Sequence, residues 1–181
     1  MATTRRTALA LLQRYAQYHR DRRNILTHLV GVPVAVFALG LLLARPAFAV
    51  GALALTPGWF VFACVALWYV TRGHLGLGVA TALGVGLLVG LAHGMVGGTV
   101  AQGVAWAGAC FVVGVAVQLV GHYYEGRKPA FADDPAGVLV GPMFVTLELL
   151  APLGLFKGLA QAIERHAGPT VLRDLAHPAT R

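Results

Sequence analysis

Residues 73–124 read GHLGLGVATALGVGLLVGLAHGMVGGTVAQGVAWAGACFVVGVAVQLVGHYY and contain no Asp, Glu, Lys or Arg. Residues 25–44 and 47–71 also lack these four residue types. A helix that crosses the hydrocarbon core of a membrane needs about 20 such residues. Each of the two shorter stretches therefore fits one spanning helix, whereas the longest must turn. We expect the turn at the glycine-dense residues 93–98 near its middle.

The composition of the whole chain indicates the same class of protein. Of its 181 residues, 57% are hydrophobic and 12% are charged, whereas charged residues make up about 25% of a soluble domain. The expected fold is an all-α polytopic membrane bundle, a single membrane domain over residues 1–181. It would comprise an amphipathic N-terminal helix in 1–24, about four transmembrane helices in 25–124, a re-entrant or interfacial helix in 136–156 and a polar tail in 157–181.

The positions of the basic residues predict the orientation. Six Arg precede residue 25, Arg72 lies between the second and third spans, and Arg127 and Lys128 follow the fourth, whereas the opposite side carries Arg45. Basic residues accumulate on the cytoplasmic side, so the N-terminus is expected there. The membrane would be the inner membrane in a bacterium or the endoplasmic reticulum in a eukaryote. The net charge of +7 suits anionic lipid headgroups, and nothing in the pattern indicates binding of nucleic acid.

Two histidines flank a polar stretch just before the first span. His19 and His28 are nine residues apart, which places them on opposite faces of an uninterrupted helix. They converge only if the helix breaks between them. Asn24 is a good N-cap for a helix that opens at Ile25, so the sequence predicts such a break.

A second polar group ends the fourth predicted span. Gln118, His122 and Glu125 follow each other at spacings of four and three and therefore share one helix face. Four spans place His122 at the depth of His28, so the three histidines are expected to form a metal site. Glu125 is a candidate catalytic or ligand residue, or simply the solvated end of the span. The fourth ligand is open between Glu125, His74, His93 and water.

The polar blocks of the chain resemble those of the Mpo1-like membrane protein family. The resemblance covers Tyr18-His19, Asn24, His28 and Pro33, and then Gln118, Gly121-His122, Glu125, Lys128-Pro129-Ala130 and Gly141-Pro142. It implies an iron(II)-dependent dioxygenase that uses O2 to shorten 2-hydroxy long-chain fatty acids by one carbon, which is α-oxidation. It also implies Fe(2+) ligation by His19, His28 and His122. Residues expected to contact substrate or support the ligands are Asn24, Gln118, Arg23 and Lys128.

Other functions remain open for a membrane protein with three histidines. A zinc-dependent hydrolase of lipid amides would use a similar site, because zinc with three protein ligands keeps one position for water. A non-enzymatic membrane protein that binds a metal or haem is a further alternative. The sequence does not fix the oligomeric state.

Overall fold

The computed structural model describes residues 6–50 and 53–175 and is 72% helical. Residues 176–181, the last part of the predicted polar tail, lie outside the described residues. The predicted all-α class is confirmed, apart from one short hairpin in which β1 (Phe48–Val50) pairs antiparallel with β2 (Leu53–Leu55). The helices of the described part are α1 Ala8–Ala16, α2 Arg22–Leu42, α3 Pro57–Val70, α4 Leu75–Gly94, α5 Val100–Glu125, α6 Gly137–Leu150 and α7 Lys157–Ala167.

Three of these helices are long and apolar enough to cross a membrane. They are α2, α4 and α5, with mean hydropathies of 2.2, 2.1 and 2.0. The second predicted span contains the hairpin and α3, which has 14 residues. Thr56 caps α3, and Pro57 occupies its first turn, where a proline costs no hydrogen bond. The membrane character of the chain agrees with the prediction. The described residues contain three helices of spanning length, whereas about four were predicted.

Glycines allow α2 and α5 to pack backbone against backbone. A Cβ atom built on Gly31 would lie 2.6 Å from the carbonyl oxygen of Gly114, and one on Gly114 would lie 2.9 Å from that of Gly31. Gly121 faces Thr27 and Asn24 with no room for a methyl group. Small residues at such contacts let membrane helices approach closely. As a result, the last turn of α5 lies beside the first turns of α2.

The turn between α1 and α2 differs from the prediction in its cap. The side chain of Asp21 caps α2 by accepting a hydrogen bond from the backbone N–H of Arg23. The predicted start at Ile25 with Asn24 as N-cap is therefore wrong. Asn24 lies in the first turn of α2, where its amide donates to the carbonyl oxygen of Tyr18. An Asp caps as well as an Asn and adds a negative charge at the positive end of the helix dipole.

The N-terminal helix packs on helices from the end of the chain. Leu12 and Tyr15 of α1 are buried together with Phe144 of α6 and Ile163 of α7. The helix α6 occupies most of the predicted re-entrant or interfacial segment and contains Pro142 without ending there. The core formed by α1 and α6 thus covers the end of the bundle at which α2 begins.

Residues 168–175, which we call the strap, return to the turn between α1 and α2. The backbone N–H of Val171 donates to the carbonyl oxygen of Arg20, and that of Arg22 donates to Val171. The backbone N–H of Arg173 donates to the carboxylate of Asp21 at 2.9 Å. This part of the predicted polar tail is therefore hydrogen-bonded to the turn between α1 and α2.

Candidate metal centre

Three histidines from three elements converge where α2 begins and α5 ends. His19 lies in the turn before α2, His28 in α2 and His122 in the last turn of α5. Their exposed fractions are 0, 2 and 7%. Each offers a ligand atom, and these atoms lie within 4.8 Å of one another. The predicted convergence of the three side chains, here called the triad, is confirmed.

Backbone carbonyls fix the orientation of two of the three rings. The Nδ1–H of His19 donates to the carbonyl oxygen of Tyr15 at 2.8 Å, and that of His28 donates to Asn24 at 2.9 Å. With the protons on Nδ1, both Nε2 atoms carry lone pairs. These two atoms are 3.1 Å apart. Two facing lone pairs repel each other unless a cation lies between them.

The third ring supplies a second indication of a bound cation. The Nδ1 atom of His122 is buried and has no hydrogen-bond partner among the described residues. A buried polar atom is ordinarily satisfied, because leaving it without a partner is costly. Coordination of a metal ion satisfies an imidazole lone pair. The donor set and its surroundings therefore fit a metal ion.

The ring of His19 is held in the form that binds metals. Burial lowers the pKa of His19 well below its ordinary value, and the neighbouring His28 and His122 lower this pKa further. The hydrogen bond to the carbonyl of Tyr15 opposes this shift but does not reverse it. The ring of His19 is therefore neutral at physiological pH, as a ligand to a metal must be.

Glu125 lies beside the triad and holds the turn between α1 and α2. Its Oε2 atom accepts hydrogen bonds from the backbone N–H groups of Arg20 and Asp21, at 2.9 and 2.7 Å, and from the amide of Asn24 at 3.2 Å. Its Oε1 atom forms an ion pair with Arg173 at 2.9 Å. Donors of the protein thus surround the carboxylate, and it is not grouped with the three histidines. This geometry favours a positioning role, and its predicted catalytic role stays a prediction.

Three other predicted site residues, Gln118, Arg23 and Lys128, each contact a partner within the chain. Gln118 lines the cavity described below, and its amide donates to a carbonyl one turn earlier. Arg23 binds the carboxylate of Asp21 through two N–H groups. Lys128 forms an ion pair with Asp133 at 2.6 Å. Both cations are thus engaged by carboxylates of the chain, and their predicted contacts with substrate stay predictions.

Two further histidines considered as fourth ligands lie elsewhere. His74 caps α4 by accepting a hydrogen bond from the backbone N–H of Leu77. His93 lies at the opposite end of α4 and is 2.7 Å from the hydroxyl of Thr56. In the described part of the chain, neither is grouped with the triad.

An apolar cavity of about 510 Å³ has two histidines of the triad, His28 and His122, in its lining. Its lining contains no Asp, Glu, Lys or Arg among the described residues. Along α2 the lining runs from His28 to Leu43, a separation that corresponds to about 22 Å at about 1.5 Å per residue. The polar side chains in the lining are those of Tyr15, His28, Tyr69, Gln118 and His122.

Tyr15 is a site residue that the sequence analysis missed. Its ring stacks on that of His19, with centroids 4.1 Å apart and an interplanar angle of 6°. Because residues four apart share one side of a helical turn, an aromatic residue four positions before His19 was the available signal. On its own, that spacing is also typical of ordinary core packing.

Comparison with known proteins adds one match. The sequence model of a protein family described as 2-hydroxy-palmitic acid dioxygenase Mpo1-like matches residues 6–152. No curated protein and no solved structure matches the chain. The matched region contains the whole triad and ends before the strap.

Proposed function

The chain belongs to the Mpo1-like family, and on this premise we propose that it is an iron(II)-dependent dioxygenase that shortens 2-hydroxy fatty acids by one carbon. The observation that carries the proposal is the buried group of His19, His28 and His122 at the head of an apolar cavity. The reaction balances when one O2 converts the 2-hydroxy acid to the shortened acid, CO2 and water. Such a reaction needs a redox-active metal beside an alkyl-binding space.

The three histidines would hold the iron. Imidazole suits iron(II), and three protein ligands leave open positions for substrate and oxygen. When bound, the metal supplies the redox chemistry that allows O2 to react with the 2-hydroxy acid. The carbonyls of Tyr15 and Asn24 orient two of the ligands, a kind of support whose removal typically costs about 10-fold to 100-fold in metal affinity or activity.

The length and the apolar lining of the cavity suit a long alkyl chain. An extended alkyl chain advances about 1.25 Å per bond, given C–C bonds of about 1.5 Å and bond angles of about 111°, so the wall along α2, about 22 Å long at about 1.5 Å per residue, matches about 18 bonds. Each buried methylene stabilises the bound lipid by about 0.8 kcal/mol. The same apolar lining keeps bulk water away from the triad.

We infer four crossings of the membrane, with α3 as the short one. At the far end of the bundle, the backbone N–H of Gly58 donates to the carbonyl oxygen of Leu43. At the other end, the carbonyl oxygen of Arg72 accepts from the N–H of Ala8. The helix α3 therefore connects the two ends despite its length. The arginine-rich residues before α2 favour a cytoplasmic N-terminus and triad, at the inner membrane or the endoplasmic reticulum.

The triad also favours one alternative function. Three imidazoles that leave an open position suit zinc and a metal-bound water, as a membrane hydrolase of lipid amides requires. Such an enzyme contains zinc, needs no O2 and leaves the carbon number of the acid unchanged. A non-enzymatic metal or haem protein would form no product.

The test combines metal analysis with product mass. Protein purified without oxygen is analysed for iron and zinc and then incubated with 2-hydroxypalmitic acid and ¹⁸O₂. We expect iron and an acid one carbon shorter that carries ¹⁸O, with both lost in His122→Ala. The control is His166→Ala, because His166 is an exposed histidine of α7. Zinc in place of iron, or a product formed equally without oxygen, would contradict the proposal.

A further inference from the structure

Among the described residues, the lining of the cavity contains no cation that could receive an acidic head group. A 2-hydroxy acid carries a carboxylate, and burying an anion without partners is costly. The basic residues predicted to attract it are engaged outside the cavity, Arg23 by Asp21 and Lys128 by Asp133. Neutral donors of the lining must therefore receive the head group together with the metal.

Tyr15 is the neutral donor that lies against the triad. Its ring stacks on His19, and its backbone carbonyl accepts the Nδ1–H of the same histidine. The residue is 6% exposed, and its hydroxyl makes no hydrogen bond within the described part of the chain. A Cβ atom built on Gly141, another lining residue, would lie 3.3 Å from this hydroxyl. The hydroxyl therefore reaches the cavity wall and is free to bind a ligand.

The two other neutral donors of the lining are less suited to this role. The amide of Gln118 already donates to the carbonyl oxygen of Gly114 at 3.1 Å. Tyr69 is buried in the same lining, but its ring contact is with Trp68 and not with a histidine of the triad. Tyr123, an exposed tyrosine of α5 outside this lining, offers a matched comparison.

We propose that Tyr15 is a substrate-binding residue whose hydroxyl donates a hydrogen bond to an oxygen of the 2-hydroxy acid head group, an inference that rests on the proposed function. A tyrosine hydroxyl is protonated at physiological pH and can donate a hydrogen bond. The stack on His19 holds this donor at a fixed position relative to a metal ligand. Substrate oxygens would thereby be oriented before the reaction, which is a large source of rate enhancement.

The test measures binding without turnover. Dissociation constants for 2-hydroxypalmitic acid and for an alkane of the same length are determined without oxygen for the unaltered protein, Tyr15→Phe and Tyr123→Phe. A hydrogen bond to a charged group is worth about 1.5–3 kcal/mol, so Tyr15→Phe should bind the acid about tenfold to a hundredfold more weakly. Binding of the alkane and the metal content should not change. Tyr123→Phe should bind both ligands as the unaltered protein does.

Three results would overturn the inference. If Tyr15→Phe binds the acid as tightly as the unaltered protein, the hydroxyl makes no contact with the head group, although the proposed function still stands. If both variants or both ligands are weakened equally, the phenol contributes only to packing. If the unaltered protein binds no 2-hydroxy acid, the proposed function itself fails.

Discussion

Replacing Arg173 by Ala removes the cation that pairs with the buried carboxylate of Glu125. The carboxylate has no exposed side-chain surface, whereas 26% of the Arg173 side chain is exposed. Breaking a fully buried ion pair costs about 3–5 kcal/mol. The partial exposure of Arg173 and the three donors that remain on Glu125 reduce this cost, so we expect a loss of about 1–3 kcal/mol in the free energy of unfolding. Because Glu125 also holds the backbone of Arg20 next to His19, metal affinity should fall as well.

The assay is denaturant unfolding of the metal-free protein in detergent, followed by metal titration. The matched control is Arg165→Ala, since Arg165 is an exposed arginine of α7. A double-mutant cycle with Glu125→Gln isolates the coupling between the two side chains. Unchanged stability and metal affinity in Arg173→Ala, or additive effects in the cycle, would refute the view that the strap supports the metal centre.

Two further predictions concern the α1–α2 turn and the cavity. Burial raises the pKa of Asp21, but hydrogen bonds from Arg23 and Arg173 outweigh it and hold this pKa at about 2, below the ordinary 3.8. Asp21 should therefore contribute about 2 kcal/mol to the free energy of unfolding above pH 4, and this contribution should be lost as the pH falls from about 4 to 2. The free energy of unfolding of Asp21→Asn should lack this part of the pH dependence. The same pH dependence in Asp21→Asn and the unaltered protein would contradict the prediction. Val36→Phe should fill the cavity about 12 Å from His28 along α2 and shift the preferred 2-hydroxy acid to shorter chains. Product formation across a series of chain lengths checks this, and an unchanged preference would show that the chain binds elsewhere.

The sequence predicts much of the triad because its signals are local. Charge-free stretches define the bundle, a polar break separates His19 from His28, and the spacing of Gln118, His122 and Glu125 places them on one face. These patterns require only helix geometry and the cost of polar groups in lipid. The convergence of the three histidines follows from them.

The remaining features depend on contacts between distant parts of the chain. The pairing of Arg173 with Glu125, and of the strap with Asp21, follows no periodicity in the sequence. The cap at Asp21 was missed because Asn24 offered an equally good capping residue immediately before the apolar run. The hairpin before α3 was missed because residues 47–71 carry no charge and their length suits one spanning helix, although Thr56-Pro57-Gly58 marks a break within them.

The most direct test of the central claim is iron(II) binding by the metal-free protein under anaerobic conditions, measured together with X-ray absorption of the bound iron. We expect one iron per chain with imidazole nitrogen ligands, and a large loss of affinity in each of His19→Ala, His28→Ala and His122→Ala. Unchanged affinity in any one of these variants would contradict a site built from all three histidines.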